Sequence, residues 1–223
     1  MKYICLSHLI SRKTPSYGNR DKILIEANSS IKKGETSNSS SWYISNNHIG
    51  THIDVPFHFN NNGKKTFEYS IETFFFKKIG IINIPCINAR LISSDDFSSN
   101  NIEADIEILL IRTGFEKFRK EDKYWNENPG LTSELADYLR VTFPKLRCVG
   151  FDFISLTSWK FREEGKKSHS AFLCPENKGK EILVIEDMAL ANISETIKHL
   201  IVAPLFVEDG NGGAVTVFAE VNI

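Results

Sequence analysis

Cysteine is scarce and scattered. Cys5, Cys86, Cys148 and Cys174 are the only four in 223 residues, and no two form a C-x-x-C pair. Neither a thiolate metal site nor a disulfide framework is indicated, and a reducing cytoplasm is the expected setting. An excess of charge is missing as well: 27 Lys+Arg stand against 28 Asp+Glu, a formal net charge of −1. That balance supplies no field to draw the chain onto nucleic acid or an anionic membrane. No apolar run approaches the roughly 18 residues of a spanning helix. The opening residues break their apolar stretch with Ser7, His8 and Ser11 rather than building a signal peptide. The expected partner is a small molecule.

What remains is an ordinary globular composition, 41% hydrophobic and 25% charged, which excludes disordered and fibrous classes. The length predicts one domain over residues 1–223. Short runs rich in Ile, Val and Phe predict about eight strands, at residues 3–10, 23–27, 79–84, 106–112, 148–153, 182–186, 200–207 and 215–221. Helices are fewer. Residues 133–140 carry Leu135, Tyr138 and Leu139 at helical spacing after Pro129-Gly130, and a short helix is predicted over 168–173. Another is predicted over 193–199, where Asn192 with Glu195 three places on resembles a capping box. The Ser/Asn-rich stretches 28–41 and 93–101 read as solvated loops. Many strands with helices at uneven intervals predict a mixed, β-rich α/β domain.

Histidine is not evenly spread. His48, His52 and His58, three of the six, fall within eleven residues, where an even distribution would place about 0.3 of one. In His48-Ile49-Gly50-Thr51-His52-Ile53-Asp54-Val55-Pro56-Phe57-His58-Phe59 the ligand types all hold even positions. As extended chain with period two, His48, His52, Asp54 and His58 share one face and an apolar set takes the other. Extended chain from 48 to 54 would span about 20 Å, whereas ligands sit about 2 Å from one ion, so the chain must curl. Gly50 and Pro56 would permit a bend, and the i, i+4 spacing of His48 and His52 would equally suit a helical turn. Either geometry gathers imidazoles and a carboxylate of the kind that bind zinc or manganese.

This segment resembles the H-x-G-T-H-x-D-x-P-x-H-F signature of the cyclase family of metal-dependent hydrolases, which includes bacterial kynurenine formamidases, and it matches at all eight specified positions. Leu6-Ser7-His8 and Thr14-Pro15-Ser16-Tyr17-Gly18 are similar to the opening strand and loop of the same family, and Ile111-Arg112-Thr113-Gly114, Val149-Gly150-Phe151-Asp152-Phe153-Ile154-Ser155, Ser168-His169, Ile185-Glu186 and Ala203-Pro204-Leu205 to its later blocks. The resemblance implies a swivelling β/β/α-type fold, a homodimer, and one or two divalent ions. It implies that His48, His52 and Asp54 bind a first ion, that Asp54 bridges to a second completed by His169 and Glu186, and that His58 is the general acid/base. Tyr17 stands where formamidases place an aromatic that stacks on substrate. The chain departs from the pattern at Cys5, at Leu156, and in a longer stretch between His169 and Glu186 that includes an apparent inserted turn at 174–180.

The implied reaction is hydrolysis of a carbon–nitrogen bond in a small N-formyl or cyclic amide, N-formylkynurenine being the obvious candidate. A cyclase or lyase of a secondary-metabolite pathway would use the same residues. A noncatalytic metal-binding module is the alternative from another class, and the presence of His58 beside the ligand set argues against it.

Overall fold

A computed structural model describes residues 2–98, 101–175, 179–193 and 196–222. The strands in chain order are β1 (Lys2–Cys5), β2 (Ile23–Ser29), β3 (Ser39–Ile44), β4 (His52–Asp54), β5 (Phe75–Phe76), β6 (Ile79–Asn83) and β7 (Leu91–Ile92). After them come β8 (Ile108–Arg112), β9 (Gly130–Leu131), β10 (Cys148–Phe151), β11 (Leu183–Glu186), β12 (Ile197–Pro204) and β13 (Gly212–Val221). Three α-helices occur among the described residues: α1 (Lys123–Asn126), α2 (Ser133–Thr142) and α3 (Arg162–Leu173). The protein is a mixed, sheet-dominated α/β fold, as its strand-rich pattern predicts.

The main sheet runs β5-β12-β13-β4-β11-β10-β8-β6, with β1 added on β13. Strands β6, β8, β10 and β11 are mutually parallel, and β8, β10 and β11 read as continuous apolar runs because both their faces are covered. The opposite end, β1, β5, β12 and β13, is antiparallel. Strand β13 alternates buried and exposed residues, the mark of a sheet with one covered face. Strand β4 is the seam, antiparallel both to β11 of the parallel end and to β13 of the antiparallel end.

Two apolar cores lie on the two sides of the parallel strands. Leu109 and Ile111 of β8 point into one with Phe151, Leu135, Leu139 and Phe172, beneath α2 and α3. Ile108 and Leu110 point into the other with Ile53, Leu200, Val217 and Ala219. Helix α3 begins six residues earlier than its sequence pattern suggests. It buries Gly165, Ser168, His169, Phe172 and Leu173, an i, i+3, i+4, i+7, i+8 face that carries His169 inward.

Two sequence expectations are overturned. The helix expected over 193–199 is replaced from Ile197 by strand β12, paired with β13 and β5; Ser194 and Glu195 lie outside the described residues. A register shift between Ile197 and His199 places buried Ile197 and Leu200 three apart, and that spacing imitates a helical stripe. The Ser/Asn stretch 28–41 is not wholly loop, because its ends complete the β2–β3 hairpin. Its polar side chains pair across the strands, Asn28 Nδ2 donating to Ser41 Oγ at 2.8 Å and Ser29 meeting Ser39 at 2.8 Å. In the other stretch, residues 94–97 form a 3₁₀ turn, and Ser99 and Asn100 lie outside the described residues, as do 176–178 of the apparent insertion.

Candidate metal centre

The histidine segment curls, and Gly50 is where it turns. Its φ is +74°, a left-handed conformation that favours glycine. Beyond it, β4 holds His52 and Asp54 in extended chain. Pro56 then opens a 3₁₀ turn, Pro56–His58, at a position where its missing N–H costs nothing. Of the two geometries the spacing allowed, the bend is present and the helical turn is absent.

Cross-strand register finishes the arrangement. Glu186 of β11 pairs with His52, and Asp54 pairs with Gly212 of β13. A Cβ at Gly212 would fall 2.8 Å from His48 Cε1, so the lack of a side chain there admits the His48 ring. His48 Nδ1 donates to Asp54 Oδ1 at 2.7 Å. His52 Nε2 lies 3.5 Å from Asp54 Oδ1 and 3.3 Å from Glu186 Oε2. His169 Nε2 lies 3.5 Å from both Asp54 Oδ2 and Glu186 Oε1. All five side chains expected as ligands therefore converge from β4, β11, α3 and the bend before β4.

His58 stands beside them, stacked on His48 with ring centroids 3.9 Å apart. Asn211 spans these two rings, with Oδ1 3.2 Å from His48 Nε2 and Nδ2 3.4 Å from His58 Nδ1. The donor atoms fall into two groups that share Asp54, one of His48, Asp54 and His58 and one of His52, Asp54 and Glu186, each with its donor atoms within 4.8 Å of one another. His52 thus lies with Glu186 as well as with Asp54, and His58 with His48, while His169 Nε2 faces Asp54 and Glu186.

The tautomers are fixed from behind. His52 Nδ1 donates to Gly50 O at 2.8 Å and His169 Nδ1 donates to Gly165 O at 3.0 Å. Carbonyl oxygens only accept, so in the neutral ring the lone pair sits on Nε2 and faces the carboxylates. His52 Nε2 is buried without a hydrogen bond. Glu186 is aimed in turn by the Leu156 N–H, 2.6 Å from Oε1, and by Ser155 Oγ at 3.3 Å. At the departure noted at position 156, the backbone holds Glu186 while the Leu156 side chain is core.

Electrostatics agree. Burial opposes a charge on His52, but Glu186 and Asp54 outweigh it and raise its pKa to about 9. Burial likewise opposes charge on His169, and Asp54 with Glu186 raises it to about 10. Burial would raise Asp54, yet the His48, His169 and His52 rings hold it well below the usual carboxylate range. Burial and the Asp54 charge would raise Glu186, and His169 with His52 outweigh them and lower it. Two buried carboxylates thus demand positive charge at one point, supplied here by protons on the imidazoles, and the Nε2 atoms that would offer lone pairs on losing those protons face the same point. This N/O donor set fits a borderline divalent cation. His58 behaves differently: burial lowers its pKa to about 4 against the opposing pull of Asp54, so it is neutral at pH 7.

Several supporting residues escape a reading of residue types. Asp187, buried directly after Glu186 and with φ +53°, accepts two hydrogen bonds from Arg119 Nε and Nη2 and one from Tyr124 at 2.5 Å. Asp152 accepts from the Thr113 and Gly114 amides and binds that turn rather than the centre. Tyr17 lines the cavity that opens onto the centre, together with Phe59 and Ile154.

The family model described as putative cyclase matches residues 4–157, a span that includes His48, His52, Asp54 and His58 and ends before His169 and Glu186. A kynurenine formamidase of Bacillus cereus is 29% identical over 168 residues, 75% of this chain and 73% of that protein. Isatin hydrolase A of Labrenzia aggregata, solved with benzyl benzoate, superposes with a TM-score of 0.76 at 19% identity, covering 99% of this chain and 94% of that one. A structure described as a potential metal-dependent hydrolase with cyclase activity superposes with a TM-score of 0.74 at 20% identity, over 98% and 96% of the two chains. With the family model spanning more than half of its length, the chain belongs to the Cyclase family.

Proposed function

We propose that the protein is a metal-dependent hydrolase that cleaves the C–N bond of a small amide, an N-formyl arylamine such as N-formylkynurenine or a cyclic amide. The observation that carries this reading is the pair of buried carboxylates, Asp54 and Glu186, facing imidazole Nε2 atoms whose protons are held on Nδ1 by Gly50 and Gly165 carbonyls. His48, His52, Asp54, His169 and Glu186 would hold one or two divalent ions, zinc or manganese. A cation bound there supplies a Lewis acid that polarises a carbonyl and brings the pKa of water from 15.7 to about 7.

His58 does the proton work. Hydrolysis places hydroxyl on the carbonyl carbon and a proton on the departing nitrogen. His58 is neutral at pH 7 and adjacent to the ligand set, so it accepts the proton of the attacking water and passes it to the amine. Asn211 stands beside the ring, its side-chain amide 3.4 Å from Nδ1. Tyr17 and Phe59 flank the cavity as aromatic walls on which a planar substrate stacks.

The named activities of the formamidase relative and the isatin hydrolase neighbour support the amide class. A panel of formylkynurenine, formanilide and isatin, assayed with zinc or manganese and again after chelation, tests it. Hydrolysis of at least one that stops on chelation is expected, and a panel untouched in every condition refutes it. The homodimer belongs to the same proposal, and light scattering reads it directly.

A further inference from the structure

The cavity over the centre has about 470 Å³ and a second chemical character at its rim. Besides the imidazoles and carboxylates it is lined by Arg20, Arg162 and Lys166. Lys166 is paired with Glu163 at 2.8 Å. Asp21, on the same wall, is engaged by Asn46 Nδ2 at 3.3 Å and Ser45 Oγ at 3.4 Å.

The two arginines are different. Of the eight arginines in the chain, Arg90, Arg119, Arg140 and Arg147 have carboxylate partners. Arg12 and Arg112 bind backbone carbonyls. Among the described residues, Arg20 and Arg162 have neither, and both guanidinium groups lie over the ring of Trp159, at 5.2 Å and 3.6 Å from its centroid.

Trp159 is locked in place. Its backbone N–H donates to Asn128 Oδ1 at 3.0 Å, its ring meets Tyr17 edge-on at 5.1 Å, and a Cβ at Gly18 would strike the ring at 2.4 Å. Cation–π contact with an indole holds a guanidinium while leaving donors at its edge. The buried Tyr17 hydroxyl on the same cavity wall is within reach of Arg162, a neutral neighbour that leaves both guanidinium charges without a carboxylate. Counted with Asp21 and Glu163, the rim carries an excess of one positive charge, which matches a monoanion and a planar bidentate acceptor.

We propose that Arg20 and Arg162, braced on Trp159, bind a carboxylate carried by the substrate at the end remote from its scissile amide. The substrate class is then an amide bearing an anionic tail, and this rests on the hydrolase reading above. Its ring lies between Tyr17 and Phe59, its amide over the centre and its carboxylate at the rim.

The test uses the metal-replete protein and para-substituted formanilides whose side chain ends in a carboxylate or in the matching methyl ester. Wild type favours the acid over the ester in kcat/KM, mainly through KM. Arg162→Met and Arg20→Met each lower that acid-over-ester ratio about tenfold, the scale of one charge-assisted hydrogen bond, and Arg162→Lys gives an intermediate ratio. An acid-over-ester ratio near unity in wild type, or one that neither substitution alters, overturns the proposal. Should no formanilide be cleaved, the arylformamide form of the hydrolase reading fails. Calorimetric binding of 3-(4-aminophenyl)propanoate against its methyl ester then decides the arginine site separately. Selective loss of acid binding in Arg162→Met supports it, and equal binding of acid and ester to wild type refutes it.

Discussion

Strand β4 and the β2–β3 hairpin are both short β structure, and they could hardly differ more. Every residue of β4 is buried, and it is hydrogen-bonded to strands on both sides. Its polar side chains are aimed by a carbonyl, a carboxylate and imidazoles around them. The hairpin pairs only with itself, and it leaves Leu24, Trp42 and Tyr43 at 51%, 74% and 63% exposure. An isolated two-stranded hairpin is marginal in water. The difference teaches where precision is needed: the buried polar side chains of β4 are each oriented by a neighbouring group, and the exposed arm carries none of that constraint.

That contrast can be attacked from its strongest side first. Asp54→Asn removes the carboxylate common to both donor groups, and it should lower kcat/KM by at least about 1,000-fold, roughly 4 kcal/mol of barrier, with loss of bound metal by elemental analysis. Retained metal and activity would show that β4 is not the hub. His58→Ala should lower kcat by about 100- to 10,000-fold while metal content stays near that of wild type; loss of metal instead would make His58 a ligand, as its grouping with His48 and Asp54 permits. Asp187→Ala strands Arg119 beside a buried site and should cost about 3 kcal/mol, read as a fall in melting temperature.

Gentler changes sharpen the comparison. Ser155→Ala deletes one of the two donors that aim Glu186, and a metal affinity about tenfold weaker is expected; an unchanged chelator titration would leave the Leu156 amide as the sole guide. Trp42→Ser on the arm should shift the stability of the chain by no more than about 0.5 kcal/mol. A larger drop in the melting temperature would mean that the arm is braced in solution by something further.

Much of this was legible in residue types. Val/Ile-rich runs mark β8, β10 and β11 because strands covered on both faces need no polar residues, and the even-numbered histidines of residues 48–58 mark a face that has to be satisfied. Other parts are illegible for physical reasons. A bulge in β12 turns period two into period three and invites a helical reading. His169 looks exposed between Lys167 and Ser170 until the Gly165 face of α3 is seen to be buried; the family resemblance points to it where periodicity does not. The Leu156 N–H acts through the backbone, so no side chain announces it. Asn211 gains its meaning only when β13 lies beside β4, an event that needs contacts over 150 residues apart.

The central claim is that Asp54, Glu186 and the imidazoles around them converge on a divalent cation. Metal stoichiometry on protein purified without chelator, measured beside formamide hydrolysis before and after dialysis against chelator, tests it most directly. The account predicts at least one zinc or manganese per chain, with hydrolysis lost on chelation and restored by either metal. Metal-free protein that hydrolyses formamides as fast as the metal-replete form would contradict it.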